Sequence, residues 1–295
     1  MQADTGTLQK LRQDGIYAYD PSALRNAISC LCMYNYRHEM GLVLKNPKPN
    51  YALDFGSSGH KSLEVWENTK RTDSEAIRTF IDMFKSNEEP PGIGKTGKEL
   101  QATYSTIYGC SLLTAYFNKY RDDRRQIVDV ELTLAEELIP GVYLCGRIDK
   151  IMKGRLLTFS DYKFTKYPDR HLTLPNLQFL TYDFLVSKLT GEKVSGELDL
   201  LGISKTKSPD DILTRVPFEY TNVHRKAWKD SVLYLVDKIN KCRENNYWPQ
   251  SWQCQPYFKD CIYLPLCQAV DEGLRQALVS SMFDVSFWDP FDVVD

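Results

Sequence analysis

The sequence predicts an α/β fold, a mixed central sheet flanked by helices, and three observations support it. Strand-like segments at 126–134, 142–152 and 156–166 follow one another with turn glycines at Gly141 and Gly154, so they read as a meander. Helical patterns with capping residues at their starts precede and follow this block. At 295 residues the chain can bury a substantial core, as one large domain or a domain with a subdomain.

Composition narrows the function classes. A formal net charge of −2 excludes a globally basic nucleic-acid coat and leaves room for a local basic groove. No apolar run approaches the roughly 20 residues of a spanning helix. The stretch 1–6 has no basic region followed by an apolar segment, so no secretion signal is expected and a reducing, cytoplasmic setting follows. Eight cysteines in such a setting are better metal ligands or small core residues than disulfides.

Asp20-Pro21-Ser22 opens a helix expected to run over 20–40. It carries Cys30, Cys32, Tyr34, Tyr36 and Arg37, a cluster suited to stacking on bases and meeting phosphates, although core packing is the commoner use. Gly56-Ser57-Ser58-Gly59-His60 leads into a second helix with Leu63, Val65 and Trp66 on its apolar side, and His60 is expected in the first turn. Imidazole suits Mn²⁺ and other transition metals, whereas a lone histidine at a helix start more often caps or packs.

The clearest loop is 87–98. Its run 92–98 imitates a phosphate-binding G-x-x-x-x-G-K, but Glu99 stands where Ser or Thr must meet Mg²⁺ and Pro90-Pro91 stands where a buried strand belongs, so a P-loop is rejected. A helix over 99–120 follows, and the charged run 119–125 reads as its solvated end.

The chemistry concentrates in the meander, at Gly146-Arg147-Ile148-Asp149 and Asp161-Tyr162-Lys163. Asp161 and Lys163 are two apart on a strand and share a face. A hairpin through Lys153-Gly154 brings Asp149 near Asp161. A D-x-K strand by itself is usually a solvated edge with an ion pair of about 0–1 kcal/mol. Two carboxylates and a lysine together supply the hard oxygen ligands and the cation that metal-dependent phosphodiester hydrolysis requires. Glu131 adds a third carboxylate, facing either this site or solvent.

Beyond the meander, a helix over 174–189 is expected to bury Leu177, Leu180 and Phe184, with Gln178 and Tyr182 on a neighbouring face as a polar pair. Strands at 195–205 and 216–220 and a helix over 224–246 complete the core. Cys254, Cys261 and Cys267 then follow as C-x₆-C-x₅-C, which is not a standard zinc finger and lacks a nearby fourth ligand, a gap that Cys30 or Cys32 could fill. Cys110, Cys145 and Cys242 read as packing residues. After a final helix, the acidic, aromatic 287–292 suits either a protein partner or, more simply, a staple on its own domain.

His60, Glu131, Gly146-Arg147-Ile148-Asp149, Asp161-Tyr162-Lys163 and Gln178-x-x-x-Tyr182 occur in the order and rough spacing of a known family. The chain resembles the PD-(D/E)XK nucleases of the RecB type, a group holding the nuclease domains of RecB and AddB helicase-nucleases, CRISPR-associated adaptation exonucleases and stand-alone phage homologues. The proline-aspartate of the superfamily name is reduced here to Ile148-Asp149. The resemblance implies a restriction-endonuclease-like core over 20–267 with a helical subdomain, an N-terminal extension 1–19 and a C-terminal helix and tail 268–295.

It further implies that His60, Asp149, Asp161 and the Tyr162 carbonyl bind Mg²⁺ or Mn²⁺, with Lys163 positioning or deprotonating the attacking water. Glu131 would support the metal site, and Gln178 and Tyr182 would contact the DNA backbone or order the site. It also implies a [4Fe–4S] clasp held by Cys30, Cys254, Cys261 and Cys267. Cys30 is preferred because Tyr34 and Arg37 stand at the family's offsets from it, and Cys32 is the reserve. The expected activity is exonucleolytic, on single-stranded DNA ends, in a bacterial or phage-infected cell. The rivals are a catalytically silent DNA-binding iron–sulfur module or subunit of a larger repair complex, and a zinc-stabilised scaffold.

Overall fold

The fold comes from a computed structural model that describes residues 16–93, 99–100, 102–251, 254, 260–287 and 289; sequence features at other positions, among them most of 92–98, lie outside the described residues. Tyr17–Tyr19 forms β1 and Pro21–Ser29 forms α1. Asp20 caps α1, its Oδ1 accepting the Ser22 and Ala23 N–H groups at 2.6 and 3.2 Å, and Pro21 sits where a missing N–H costs nothing. The single helix expected over 20–40 is instead broken at Cys30, whose extended backbone (φ −165°, ψ 117°) ends α1. Leu31–Tyr34 restarts as α2 and runs into a π-helical turn, Asn35–Glu39.

After β2 (Leu42–Leu44), three helices form a layer: α3 (Tyr51–Asn68), α4 (Asp73–Phe84) and α5 (Thr106–Tyr120). Asn50 caps α3, so that helix begins earlier than expected and His60 lies in its middle rather than its first turn. Similarly α5 starts at Thr106, capped by Ser105, because Glu99–Leu100 (β4) pairs antiparallel with Gly92–Ile93 (β3). Phe55, Trp66, Phe80, Phe84 and Phe117 are fully buried among these helices.

The chain then builds a six-stranded mixed sheet. β5 (Gln126–Ile139) and β6 (Val142–Lys153) are a long antiparallel hairpin closed at Gly141, whose φ of +80° glycine adopts without steric penalty. β7 (Leu157–Thr165) returns antiparallel to the last part of β6, while β1 lies parallel to its start. The helix α6 (Leu177–Thr190), capped by Asn176 and ended by left-handed Gly191, crosses over so that β8 (Val194–Gly202) runs parallel to β7. β9 (Leu213–Phe218) adds an antiparallel edge. Phe179, Leu185 and Val186 are fully buried on α6, whereas Leu177 and Phe184, expected in its stripe, are only half-buried.

Strand alternation divides the sheet between two cores. Leu157 and Phe159 of β7 enter one, with α1, α6 and α7 (Asn222–Asn245); Tyr162 and Phe164 enter the other, beneath α3–α5. Asp161 and Lys163 have the parity of Leu157 and Phe159, so they stand on the α6 side.

In the run 119–125, Lys119, Arg121, Asp122 and Arg124 are exposed as expected of a solvated helix end, but Asp123 and Arg125 are drawn into an ion-pair network. Arg215 of β9 joins Asp123, Glu197 and Asp199 at 2.7, 3.1 and 2.6 Å, and Arg125 joins Asp123 and Glu197 at 2.6 and 2.8 Å. These guanidinium pairs hold the Asp123 carboxyl well below the usual range despite its burial.

A segment early in the chain meets one late in it. After α8 (Leu264–Gln268) and α9 (Glu272–Met282), β10 (Phe283–Val285) pairs antiparallel with β2, whereas the acidic, aromatic run 287–292 lies mostly outside the described residues. A small core of Cys32, Tyr36, Leu42, Tyr263, Leu266 and Phe283 lies between them, with Cys30, Cys261 and Cys267 packed against it. The Cys32 and Cys267 sulfurs are 3.8 Å apart, and the Cys261 N–H donates to the Cys254 carbonyl at 2.7 Å. No helix among the described residues is long and apolar enough to cross a membrane.

Candidate active site

The site forms where β6 and β7 part. Their ladder runs from Lys153/Leu157 to Lys150/Ser160 and stops, leaving Asp149 and Asp161 as the next residues on the two strands. Asp149 Oδ2 accepts the Tyr162 N–H at 2.7 Å and so satisfies the backbone donor that β6 has released.

Two side chains converge on Asp149. His60 reaches it from α3 with Nδ1 3.3 Å from Oδ2. This approach depends on Gly59, where a Cβ would lie 2.3 Å from the Phe164 ring. Glu131 stands between the pairs Val130↔Lys150 and Leu132↔Ile148, hence opposite Asp149, and has φ +53°. A left-handed non-glycine residue costs about 1–3 kcal/mol and persists only where its surroundings enforce it. Ligand atoms of His60, Glu131 and Asp149 all lie within 4.8 Å of one another.

Asp161 is held differently. Its Oδ2 is 2.7 Å from Lys163 Nζ and its Oδ1 accepts Gln178 Nε2 at 2.9 Å, while the same Nε2 lies 2.9 Å from the Tyr182 hydroxyl. Of the residues singled out from the sequence, the structure thus groups His60, Glu131 and Asp149 as one cluster and Asp161, Lys163, Gln178 and Tyr182 as its neighbour. Gly146 makes room for this pair, since a Cβ there would meet the Tyr182 ring at 3.0 Å.

Electrostatics distinguish the carboxylates. Burial raises Asp149, but His60, Lys163 and the Tyr162 N–H outweigh it and hold the group below its usual range. Burial and the Asp149 charge push Asp161 up to about 6 in spite of Lys163, and Glu131 up to about 7. Burial lowers His60, yet Asp149 prevails and raises it. Crowded carboxylates with elevated pKa values beside an imidazole make a donor set suited to a divalent cation, whose charge relieves their repulsion.

Glu131 yields a signed test. Its folded pKa of about 7 exceeds its ordinary 4.5, so its contribution to stability is fully present below about pH 4.5 and lost as pH rises through 7. With its partial access to water allowed for, the metal-free protein carries a penalty on the order of 1–3 kcal/mol at pH 8 from this group. Glu131→Gln is expected to remove that part of the pH dependence, measured as Tm between pH 5 and 8, and to reduce stabilisation by Mn²⁺. In the unaltered protein that stabilisation should shrink below pH 7 as protons compete for the site. An unchanged pH slope in the variant would contradict the assignment.

Sequence reading missed the support beneath the site. Lys150 is 1% exposed, and its Nζ lies 3.0 Å from Glu67 Oε1 and 3.9 Å from Asp199 Oδ2. Glu67 is two helical turns beyond His60 on α3, and Oε1 also accepts the Tyr162 hydroxyl at 3.4 Å. The available signal was a lysine in the otherwise apolar run Ile148-Asp149-Lys150-Ile151.

Solved structures with this fold include a candidate exonuclease from Eubacterium rectale, 10% identical with a TM-score of 0.53 over 86% of this chain and 91% of that chain. An alkaline exonuclease from Laribacter hongkongensis is also 10% identical, with a TM-score of 0.33 over 66% and 94%. No match to a curated protein sequence was found. A family model, that of the PD-(D/E)XK nuclease superfamily, matches residues 20–268, the span that holds the forked strands, the carboxylates and Lys163. With its acids and lysine standing where that family's name places them, the chain belongs to the PD-(D/E)XK nuclease superfamily.

Proposed function

We propose that this protein is a divalent-metal-dependent deoxyribonuclease that acts as an exonuclease on single-stranded DNA ends. The observation that carries the reading is the meeting of His60, Glu131 and Asp149 within 4.8 Å, next to an Asp161–Lys163 pair at 2.7 Å. His60, Glu131 and Asp149 would hold Mg²⁺ or Mn²⁺, with Asp161 and the Tyr162 carbonyl completing the set. Bound there, the cation supplies Lewis acidity and a more acidic water.

The remaining work falls to the chain's own groups. Lys163 orients or deprotonates the attacking water from its place on Asp161, or stabilises charge on the phosphate. Gln178 fixes the Asp161 carboxylate and, with Tyr182, presents a polar edge to the DNA backbone. The name of the Eubacterium rectale protein similar in fold suits the exonuclease reading, which otherwise rests on family analogy.

We further propose a [4Fe–4S] cluster on Cys30, Cys254, Cys261 and Cys267, with Cys32 as the alternative to Cys30. Supporting it, Cys30, Cys32, Cys261 and Cys267 lie in or against one small core, Cys254 is joined to Cys261 by a backbone hydrogen bond, and none of the five is in a disulfide. A cluster there would tie β2 and the α1–α2 break to the C-terminal segment. The setting is the reducing cytoplasm of a bacterial or phage-infected cell, in recombination, repair or replication.

The test is digestion of single strands labelled separately at each end, with Mn²⁺ or Mg²⁺. Mononucleotide or short-oligonucleotide release from one end, blocked by EDTA, is expected. Full protection of every strand in both metals would leave the DNA-binding module as the better reading. Anaerobically purified protein should be brown and contain iron; a colourless, zinc-loaded protein would remove the cluster without touching the nuclease.

A further inference from the structure

The α6–α7 face carries a cavity that the nuclease site does not use. It has a volume of about 480 Å³, within the range of ligand pockets, with Leu138, Phe184 and Trp228 among its apolar lining. The Phe184 and Trp228 rings pack with centroids 5.6 Å apart. Ser187, also in the lining, stands about 180° around α6 from Gln178 at 3.6 residues per turn, so the cavity opens away from the catalytic edge.

Its rim is basic. Lys188, Arg225, Lys226 and Lys229 line it together with one acid, Asp183, which Arg225 engages through two bonds of 2.7 and 2.8 Å. Lys226 is paired with Asp230 at 2.6 Å, whereas Lys188 and Lys229 are exposed with no acidic partner among the described residues. Beneath the rim, Trp228 is 7% exposed and its indole N–H has no acceptor among the described residues.

We propose that this cavity docks an acidic peptide segment of a partner protein, with a large apolar side chain on the Leu138–Phe184–Trp228 lining and carboxylates on Lys188 and Lys229. Two separate features select this occupant. The rim selects negative charge and the floor selects an apolar side chain. A nucleic-acid strand satisfies the first alone: its phosphates need no apolar floor, and a buried indole packed on Phe184 offers no open face for base stacking. Docking here would leave the forked strands accessible, so the partner would recruit the nuclease rather than block it.

The probe is a fluorescein-labelled acidic peptide carrying phenylalanine, titrated by anisotropy against the full-length protein beside two analogues, one with alanine for phenylalanine and one with asparagine for aspartate. Saturable binding is expected, weakened about tenfold or more by Lys188→Glu with Lys229→Glu and by either change to the peptide. Cleavage of a labelled oligonucleotide should be unchanged by the two lysine substitutions, which lie on exposed positions and leave the fold intact. Absence of saturation, indifference to the loss of phenylalanine, or binding that survives the charge reversal and is displaced by a single-stranded oligonucleotide would each overturn the proposal.

Discussion

Lys163→Met is expected to slow DNA cleavage about 10²–10⁴-fold, the range a positioned proton-transfer group supplies, while the thermal transition stays close to that of the parent. The side chain is 24% exposed and its Nζ touches Asp161 Oδ2 at 2.7 Å, so its loss opens no core cavity. Metal binding should persist, because His60, Glu131 and Asp149 are untouched. Lys163→Arg separates two roles: an arginine keeps the charge yet cannot give up a proton, so recovery by arginine assigns charge stabilisation and failure to recover assigns the base. Asp161→Asn should be as damaging, since it removes the group that seats Lys163 and Gln178. Retention of more than about a tenth of the parent rate by both variants would remove Lys163 and Asp161 from the reaction.

The second large effect is on stability. Lys150→Met should cost about 3–5 kcal/mol in denaturant unfolding, because it leaves the Glu67 carboxylate buried without its 3.0 Å partner. Adding Glu67→Gln should recover much of that loss, as the charge left behind is removed with it. Both single variants should also bind Mn²⁺ more weakly, since Glu67 fastens the helix of His60 to Tyr162, next to Asp161. Equal, additive losses in the single and double variants would mean that the pair is not coupled.

The strands were legible because the hairpin glycines and apolar runs between 126 and 166 carry their own local signals, and β5–β7 appear where those signals place them. The spacing of Asp161 and Lys163, and of Gln178 and Tyr182, likewise depends only on the periods of a strand and a helix. What escaped was set by tertiary contact. Asn50 capping starts α3 early and moves His60 to mid-helix, and Cys30 adopts an extended backbone although the residues around it favour a helix. The left-handed conformation of Glu131 has no sequence signal at all, as no glycine or asparagine marks it. Asp123 and Arg125 looked like surface charge because their partners, Glu197 and Arg215, lie more than seventy residues further along the chain.

His60 belongs to the helical layer, whereas Asp149 and Glu131 hang from the sheet, so a cation shared among them would stitch together two independently packed halves. Ion occupancy and the seating of that layer are then one equilibrium. Any change that loosens Trp66 or Phe80 from their neighbours, far from the phosphodiester, should be felt first as a weaker grip on the ion.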